Sequence, residues 1–309
     1  MPFSPSSLKG PTAQIADRPL NPIIPILALL TTATLWSLGG ALIKLANDGG
    51  AGLSPLVITC YRALLAGIFF LPQALRRRAT LQHASKPWIA ASVLSFTLLT
   101  ITFVAATTRT AAANAILLQY TSPFWVFLLS PLILKEHPRR SEALVLCVAL
   151  AGVLVIFLGH PTGGAGALTL ALVSGFGFGL LTIIFRKLKQ IDAGVLVCLN
   201  CLGSGAILLG ALLGSAPSAP NERQWALILL LAILQFSIPY ALFAWALRHV
   251  QAYQASLIVL LEAILNPVWT YLLTGEPVPH ATLIGGPLIL GSVAAWILLT
   301  ARAAASTTG

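Results

Sequence analysis

The residues of this chain with the clearest capacity for chemistry lie in one apolar stretch that runs from Gln251 to Glu276. Its interior is long enough to span a bilayer, yet Glu262 lies near its middle and Pro267 follows. A carboxylate is costly in hydrocarbon, so we expect Glu262 to face protein or a water-filled cavity and to bind a proton or a substrate ammonium. The alternative is that Glu262 only bonds to a neighbouring helix and holds the bundle together.

Polar and aromatic side chains share one face of this stretch. At 100° per residue, a single stripe of the helix carries Gln254, Ile258, Glu262, Asn266 and Trp269. An upstream apolar stretch has a similar design, with a proline just after a polar cluster of Asn114, Tyr120 and Ser122. Interrupted helices in corresponding positions point to a substrate site near the middle of the membrane. The alternative is a pair of proline kinks that bind no ligand.

Arg62 is the basic residue that the sequence places inside the membrane. It lies about 12 Å into its span at 1.5 Å per residue, and Glu262 lies at a similar depth from the same side. An ion pair between Arg62 and Glu262 would lower the cost of burying both charges, and we expect it if their helices touch. The alternative is that the Arg62 side chain extends towards the outer water.

Composition identifies the class of protein that must position these groups. The chain has 309 residues, of which 57% are hydrophobic and only 8% are charged, whereas soluble domains have about 25% charged residues. We therefore expect an all-α integral membrane protein. With about 20 apolar residues per span, the sequence holds ten spans, approximately at 22–46, 54–75, 88–107, 110–134, 141–158, 168–185, 194–213, 225–247, 252–274 and 281–301.

The placement of basic residues predicts the orientation. If the N-terminus is inside, the outer side carries only Lys44, Arg109 and Arg223, whereas fourteen of the 18 Lys and Arg residues are cytoplasmic. This bias predicts that both termini are cytoplasmic, with flexible tails at 1–21 and 303–309. It also accounts for the net charge of +10, so we expect no nucleic-acid partner.

An internal repeat divides the spans into two sets of five. An offset of 140 residues aligns Glu136 with Glu276, Ser122 with Glu262, and Trp36 with Phe176. An odd number of spans inverts the second unit relative to the first, so the sequence predicts two inverted five-helix repeats, at 22–160 and 161–302. Trp36 and Phe176 are then expected to line a central cavity, while the glycines beside them serve helix packing.

Several motifs together resemble a known family. They are Trp36-Ser-Leu-Gly-Gly, Arg62-Ala-Leu-Leu-Ala-Gly, the run from Asn114 to Pro123, and the acidic ends Leu134-Lys-Glu136 and Thr274-Gly-Glu276. In this order they resemble the EamA-type exporters of the drug/metabolite transporter superfamily. The resemblance implies a ten-helix bundle with a central cavity and small metabolites, often amino acids, as cargo. Family members tend to have Glu-Pro where this chain has Glu262-Ala263, which moves the expected kink towards Pro267.

We therefore expect a secondary transporter in a bacterial inner membrane that exports small metabolites by alternating access, with protons as a candidate coupling ion. A carrier of phosphorylated or nucleotide-linked sugars is the alternative, although it would favour several basic residues in the cavity. A membrane enzyme is a weaker alternative, because the histidines are scattered over different loops, at His83, His137, His160, His249 and His280. We expect no cofactor and no metal site, and the oligomeric state stays open.

Overall fold

The computed structural model of the chain is a bundle of α-helices. It describes residues 23–47, 52–82, 84–136, 140–158, 164–215 and 218–277, together with 280–281, 283–288, 291–292 and 295. The tails at 1–21 and 303–309, and most of the span expected at 281–301, lie outside the described residues.

The described helices follow one another through short connections. In chain order they are α1 (Ile23–Ser37), α2 (Gly39–Asn47), α3 (Pro55–Arg77), α4 (Lys86–Thr107), α5 (Ala112–Gln119), α6 (Ser122–Ile133), α7 (Arg140–Leu158), α8 (Gly164–Lys187), α9 (Ala193–Leu213), α10 (Glu222–Leu230), α11 (Ile238–Ala246), α12 (Ala252–Ile258) and α13 (Glu262–Thr274).

Eight helical segments within the described residues are long and apolar enough to cross a membrane. Each corresponds to an expected span, and they are Ile23–Asn47, Pro55–Leu81, Lys86–Thr107, Ala112–Ile133, Gly164–Lys187, Ala193–Leu213, Glu222–Ala246 and Ala252–Thr274. The span expected at 141–158 coincides with α7, whose apolar part is the shorter Ala143–Gly152. The chain is thus a multi-pass membrane protein, and the count of ten spans stays a prediction.

Helices α3 and α9 pack most extensively against each other, through two reciprocal glycine contacts. A Cβ on Gly67 would lie 2.6 Å from the side chain of Leu202, and a Cβ on Gly205 would lie 2.5 Å from that of Leu64. The thiol of Cys198 donates to the Gly67 carbonyl at 3.3 Å, and Cys60 donates to the Gly205 carbonyl at 3.6 Å. Small residues let the two backbones approach closely, as is common between helices in a membrane.

The first span is interrupted at Leu38, between α1 and α2, and two further spans are broken near their middle. The first break separates α5 from α6 at Tyr120 and Thr121. Its cause is visible in the sequence, because Pro123 has no N–H to donate to the carbonyl of Gln119, the last residue of α5. Consecutive 3₁₀-type hydrogen bonds bridge the junction instead, including one of 3.1 Å from the Thr121 N–H to the Leu118 carbonyl.

The second break lies elsewhere than the sequence indicated. Pro267 is inside α13, whereas the break between α12 and α13 is a 3₁₀ turn at Val259–Leu261, immediately before Glu262. The break therefore precedes Glu262, and Pro267 lies within the length of α13. A tertiary contact holds the turn, because the Tyr120 hydroxyl lies 2.6 Å from the Val259 carbonyl. No local sequence signal reports such a contact.

Another irregularity lies between α10 and α11, where Leu231–Ser237 form a π-helical segment. The Ser237 hydroxyl donates to the Ala232 carbonyl at 2.7 Å, five residues earlier, which matches the wider π turn. Gln235, inside this segment, is 5% exposed. The bulge changes which residues of the span face the bundle.

Glycines of α8 allow that helix to approach the break between α5 and α6. A Cβ on Gly175 would lie 2.4 Å from Thr121 Oγ1 and 2.8 Å from the carbonyl oxygen of Gln119. The expectation that these glycines serve packing is confirmed by this contact.

Replacing Gly175 with alanine is expected to lower the free energy of unfolding by about 1–3 kcal/mol, the usual cost of overpacking, because backbone atoms cannot move aside easily. Gly210→Ala is the matched control, since Gly210 is helical and a Cβ there would meet nothing within 4 Å. It should be neutral or stabilise by about 0.5–1 kcal/mol. The variants are compared by their apparent melting temperatures in one detergent. A Gly175 variant that is as stable as the parent protein would contradict the packing described.

Candidate functional site

The broken helices border a buried cavity that contains both charges singled out from the sequence. Arg62 of α3 is 1% exposed and Glu262 of α13 is 5% exposed. The space has an empty volume of about 330 Å³, counting the part open to solvent. Its lining consists of Trp36, Arg62, Leu99, Thr100, Phe103, Gln119, Phe178, Gln235, Phe236, Tyr240 and Glu262. A few polar groups among aromatic walls are typical of a small-molecule site.

Arg62 contacts the π-helical segment Leu231–Ser237, but it has no carboxylate partner there. Its Nη1 donates to Gln235 Oε1 at 3.3 Å, and its guanidinium carbon lies 4.4 Å from the centre of the Phe236 ring. Its Nε is buried without a hydrogen-bond partner. Gln235 itself rests against Gly39, where a Cβ would lie 2.7 Å from the amide nitrogen. A buried guanidinium with an unused donor is ready to bind an anionic group.

Glu262 has a different partner from the one expected. Its Oε2 lies 2.6 Å from the Tyr120 hydroxyl, and that hydroxyl also lies 2.6 Å from the Val259 carbonyl. Among the residues that the structure describes, the ion pairs are Lys44–Glu276 and Arg186–Glu136. The expected pair between Arg62 and Glu262 is therefore not formed in this conformation, although both side chains line one cavity.

The contacts of Tyr120 indicate the protonation state that the geometry suits. A phenol has one hydrogen, and a backbone carbonyl can only accept. If Tyr120 donates to the Val259 carbonyl, the contact with Glu262 needs a hydrogen from the carboxyl group. Protonation of Glu262 satisfies both short contacts at once, because the carboxyl group then donates to the Tyr120 oxygen.

Aromatic rings form much of the remaining wall. Trp36 of α1 lies at their centre, with ring centroids 4.8 Å from Tyr240 and 5.4 Å from Phe178 in edge-to-face arrangements. Phe236 packs on Tyr240 at 5.1 Å. The Trp36 indole nitrogen is buried without a hydrogen-bond partner. Together these rings make an apolar surface beside the two charged groups.

One aromatic residue was assigned wrongly from the sequence. Phe176, expected to line the cavity, is 36% exposed and packs against Trp125 with ring centroids 5.1 Å apart. Its place is taken by Phe178, which is 4% exposed. Two residues correspond to about 200° of helix rotation, so an alignment error of two residues moves a side chain to the opposite face.

Five other expected site residues lie outside the lining of this cavity, and of these Tyr120 contacts the lining residue Glu262. Asn114 donates to Thr110 Oγ1 at 3.2 Å near the start of α5, and Gln254 accepts a hydrogen bond from the Gln251 N–H at the start of α12. Ser122 is buried as the first residue of α6. Asn266 is 0% exposed, and neither of its side-chain polar atoms has a hydrogen-bond partner. The structure thus brings together Trp36, Arg62, Tyr120 and Glu262, with the other four in the surrounding helices.

Comparison with known proteins identifies the family. A model described as the EamA-like transporter family matches the chain twice, over residues 23–158 and over residues 165–298. The chain belongs to the EamA-like transporter family. The resemblance indicated by the sequence motifs is thereby confirmed, and the protein is a membrane transporter by family.

Relatives of this EamA protein extend over most of its length. A protein of Archaeoglobus fulgidus, called an uncharacterized transporter, is 25% identical over 270 residues, which cover 87% of this chain and 95% of that protein. An uncharacterized transporter of Clostridium kluyveri is also 25% identical, over 284 residues that cover 86% of this chain and 90% of its own. A solved crystal structure matches with a TM-score of 0.73 at 20% identity, covering 90% of this chain and 98% of that one. At this identity the likeness shows the fold alone.

Part of the EamA cavity was missed by sequence reasoning. Gln235 and Tyr240 were noticeable as polar groups in an apolar span, but they could equally have bridged helices. The π-helical segment that contains Gln235 has no sequence signature, and without it the face of that span cannot be assigned. The sequence contains a weak indication that Gln119 lines the cavity, because Gln119 lies beside Tyr120 in the interrupted helix.

Proposed function

We propose that this EamA-family protein is a secondary transporter of small zwitterionic metabolites, amino acids or close relatives of them. The observation that carries the proposal is that Arg62 and Glu262 line one cavity without forming an ion pair. A buried guanidinium without a carboxylate partner is costly unless something compensates it, and so is Glu262 once it has lost its proton. A substrate with a carboxylate for Arg62 and an ammonium for Glu262 supplies that compensation.

The rest of the cavity suits a substrate of this class. The rings of Trp36, Phe178 and Phe236 offer an apolar surface for an amino-acid side chain. A carrier of phosphorylated or nucleotide-linked sugars is disfavoured, because Arg62 is the one basic residue among the described side chains that line this cavity. A dianionic phosphate group would favour several basic residues in the cavity.

The mechanism we infer is rocking of two inverted repeats around this cavity. The reciprocal contacts between α3 and α9 support it, since Gly67 and Gly205 exchange roles across the interface. The packing of α4 on α8 and of α1 on α11 also supports it. In each contact the third span of one repeat packs against the first span of the other. The two matches of the family model fall on successive halves of the chain. In this arrangement both termini are cytoplasmic, and the membrane is the inner membrane of a bacterial-type cell.

The contacts of Glu262 support proton coupling. With the carboxyl protonated, Tyr120 donates to the Val259 carbonyl at the break before α13. When a substrate ammonium displaces the proton, the Tyr120 hydroxyl can turn to the carboxylate, and the Val259 carbonyl loses this partner. Arg62 and Tyr240 line the same cavity as Glu262. Competition of proton and substrate for one carboxylate gives antiport, and an inward proton gradient then drives export.

A thermal-shift screen of the purified protein tests this substrate class. Leucine, its decarboxylated amine and its deaminated acid form one matched set, with further amino acids and simple sugars beside it. We expect zwitterions to raise the melting temperature most, because at about 100 times the dissociation constant a ligand stabilises the folded state by about 2.7 kcal/mol. Equal stabilisation by the amine or the acid alone would contradict the zwitterion site.

A further inference from the structure

The two acidic residues that end the broken spans make equivalent contacts at opposite ends of the bundle. Glu276 follows α13, and its Oε1 accepts a hydrogen bond of 3.0 Å from the N–H of Ala112, the first residue of α5. Glu136 follows α6, and its Oε2 accepts one of 3.3 Å from the N–H of Ala252, the first residue of α12. Each broken span thus ends in a carboxylate that caps the start of the other.

A cation from the first span of each repeat completes both clusters. Lys44 Nζ lies 3.0 Å from Glu276 Oε2 and donates to the Thr110 carbonyl at 2.9 Å. At the other end, Arg186 Nε lies 2.7 Å from Glu136 Oε1, and its Nη1 donates to the Leu247 carbonyl at 2.8 Å. Burial and the nearby Arg248 and Arg186 lower the pKa of His249, so His249 is neutral at neutral pH.

The clusters lie where the two broken spans contact each other. Helices α5 and α13 pack together on the side of Lys44, and α6 and α12 pack together on the side of Arg186. The breaks and the cavity lie between these two contacts. A carboxylate at a helix N-terminus is stabilised by the exposed N–H groups and the helix dipole as well as by its cation. The ion pairs are mostly shielded, with side chains 24% exposed on the Lys44 side and 13–15% on the Arg186 side.

We propose that these clusters are two latches, one at each mouth of the cavity, and that the transport cycle opens one while the other stays closed. The outer latch consists of Lys44, Glu276 and the Ala112 N–H, and the inner latch of Arg186, Glu136 and the Ala252 N–H. Opening the outer latch separates α5 from α13, and opening the inner latch separates α6 from α12. The inference rests on the proposed transport function for its purpose, but the latches can be measured without any substrate.

The test is the accessibility of a cysteine placed in the cavity. Thr100 lines the cavity and is 2% exposed, and Thr100→Cys is introduced after the four native cysteines are replaced by alanine. The full-length protein is then labelled with a membrane-impermeant maleimide, applied from the outside in intact cells and from the inside in inverted vesicles. Glu276→Gln should raise labelling from the outside by about tenfold, the effect of losing one charge-assisted hydrogen bond, and lower labelling from the inside. Glu136→Gln should do the reverse.

Matched variants separate gating from stability. Glu222→Gln, at the first position of α10, removes an acidic residue outside both latches and should leave labelling unchanged. Lys44→Met removes the cation of the outer latch and should change labelling in the same direction as Glu276→Gln. It therefore keeps the test decisive if the Glu276 variant does not fold. Equal changes from both sides, or a lower melting temperature with unchanged labelling, would show that the clusters are only structural caps and would overturn the proposal. Because labelling needs no substrate, that result would leave the proposed transport function standing.

Discussion

Replacing Glu262 with glutamine is expected to abolish accumulation driven by a pH gradient in proteoliposomes. Glutamine keeps the shape of a protonated carboxyl, but it can neither release a proton nor pair with a substrate ammonium. Truncating one partner of a buried charged interaction costs about 2–5 kcal/mol, so substrate affinity should fall at least about 30-fold. Folding should survive, because the amide can still bond to the Tyr120 hydroxyl, which is 2.6 Å from the carboxyl oxygen.

Glu222→Gln is the matched control for this flux assay, since it removes a carboxyl group outside the cavity. Its gradient-driven accumulation should equal that of the parent protein. Normal accumulation by the Glu262 variant would remove this carboxylate from the mechanism and leave it a helix-packing group.

Replacing Arg62 with methionine should separate binding from stability. Arg62 is 1% exposed and has a hydrogen bond to Gln235 but no carboxylate partner in this conformation. Exchanging Arg62 for an apolar side chain of similar length removes the desolvation cost of the guanidinium and leaves no unpaired carboxylate behind. We therefore expect an unchanged or higher melting temperature, together with a loss of at least about 30-fold in affinity for ligands that carry a carboxylate.

Arg109→Met, in the connection after α4, is the control for removal of one positive charge. Its melting temperature and its affinity for ligands with a carboxylate should match those of the parent protein. Retained affinity for amino acids in the Arg62 variant would contradict the assignment of Arg62 to the substrate carboxylate. A large loss of stability would show instead that Arg62 serves the packing of α3 against its neighbours.

The sequence was sufficient for the features that depend on local composition. Apolar length located the spans, and the cost of charge in hydrocarbon singled out Arg62 and Glu262, which the structure places in one cavity. The break before α6 was also predictable, because Pro123 removes a specific helical hydrogen bond. Each of these inferences uses an energy that one residue and its position in the membrane already determine.

Features that depend on tertiary contacts were not predictable in this way. The break before Glu262 is held by a hydroxyl from another span, so Pro267 misled the assignment. Phe176 was chosen instead of Phe178 because one offset was applied to the whole repeat. The structure shows that the offset varies: Glu136 and Glu276 are equivalent at 140 residues, whereas Lys44 and Arg186 are equivalent at 142.

One measurement tests the exchange of a proton for a substrate at Glu262 most directly. A ligand found by thermal shift is added to purified protein in weakly buffered acidic solution, and the protons released on binding are counted. We expect release of about one proton per bound ligand, because the ammonium takes the place of the carboxyl hydrogen. Binding of the substrate carboxylate to Arg62 should release no proton, because the guanidinium keeps all of its hydrogens. Saturable binding of a zwitterion without proton release by the parent protein would contradict the proposed antiport.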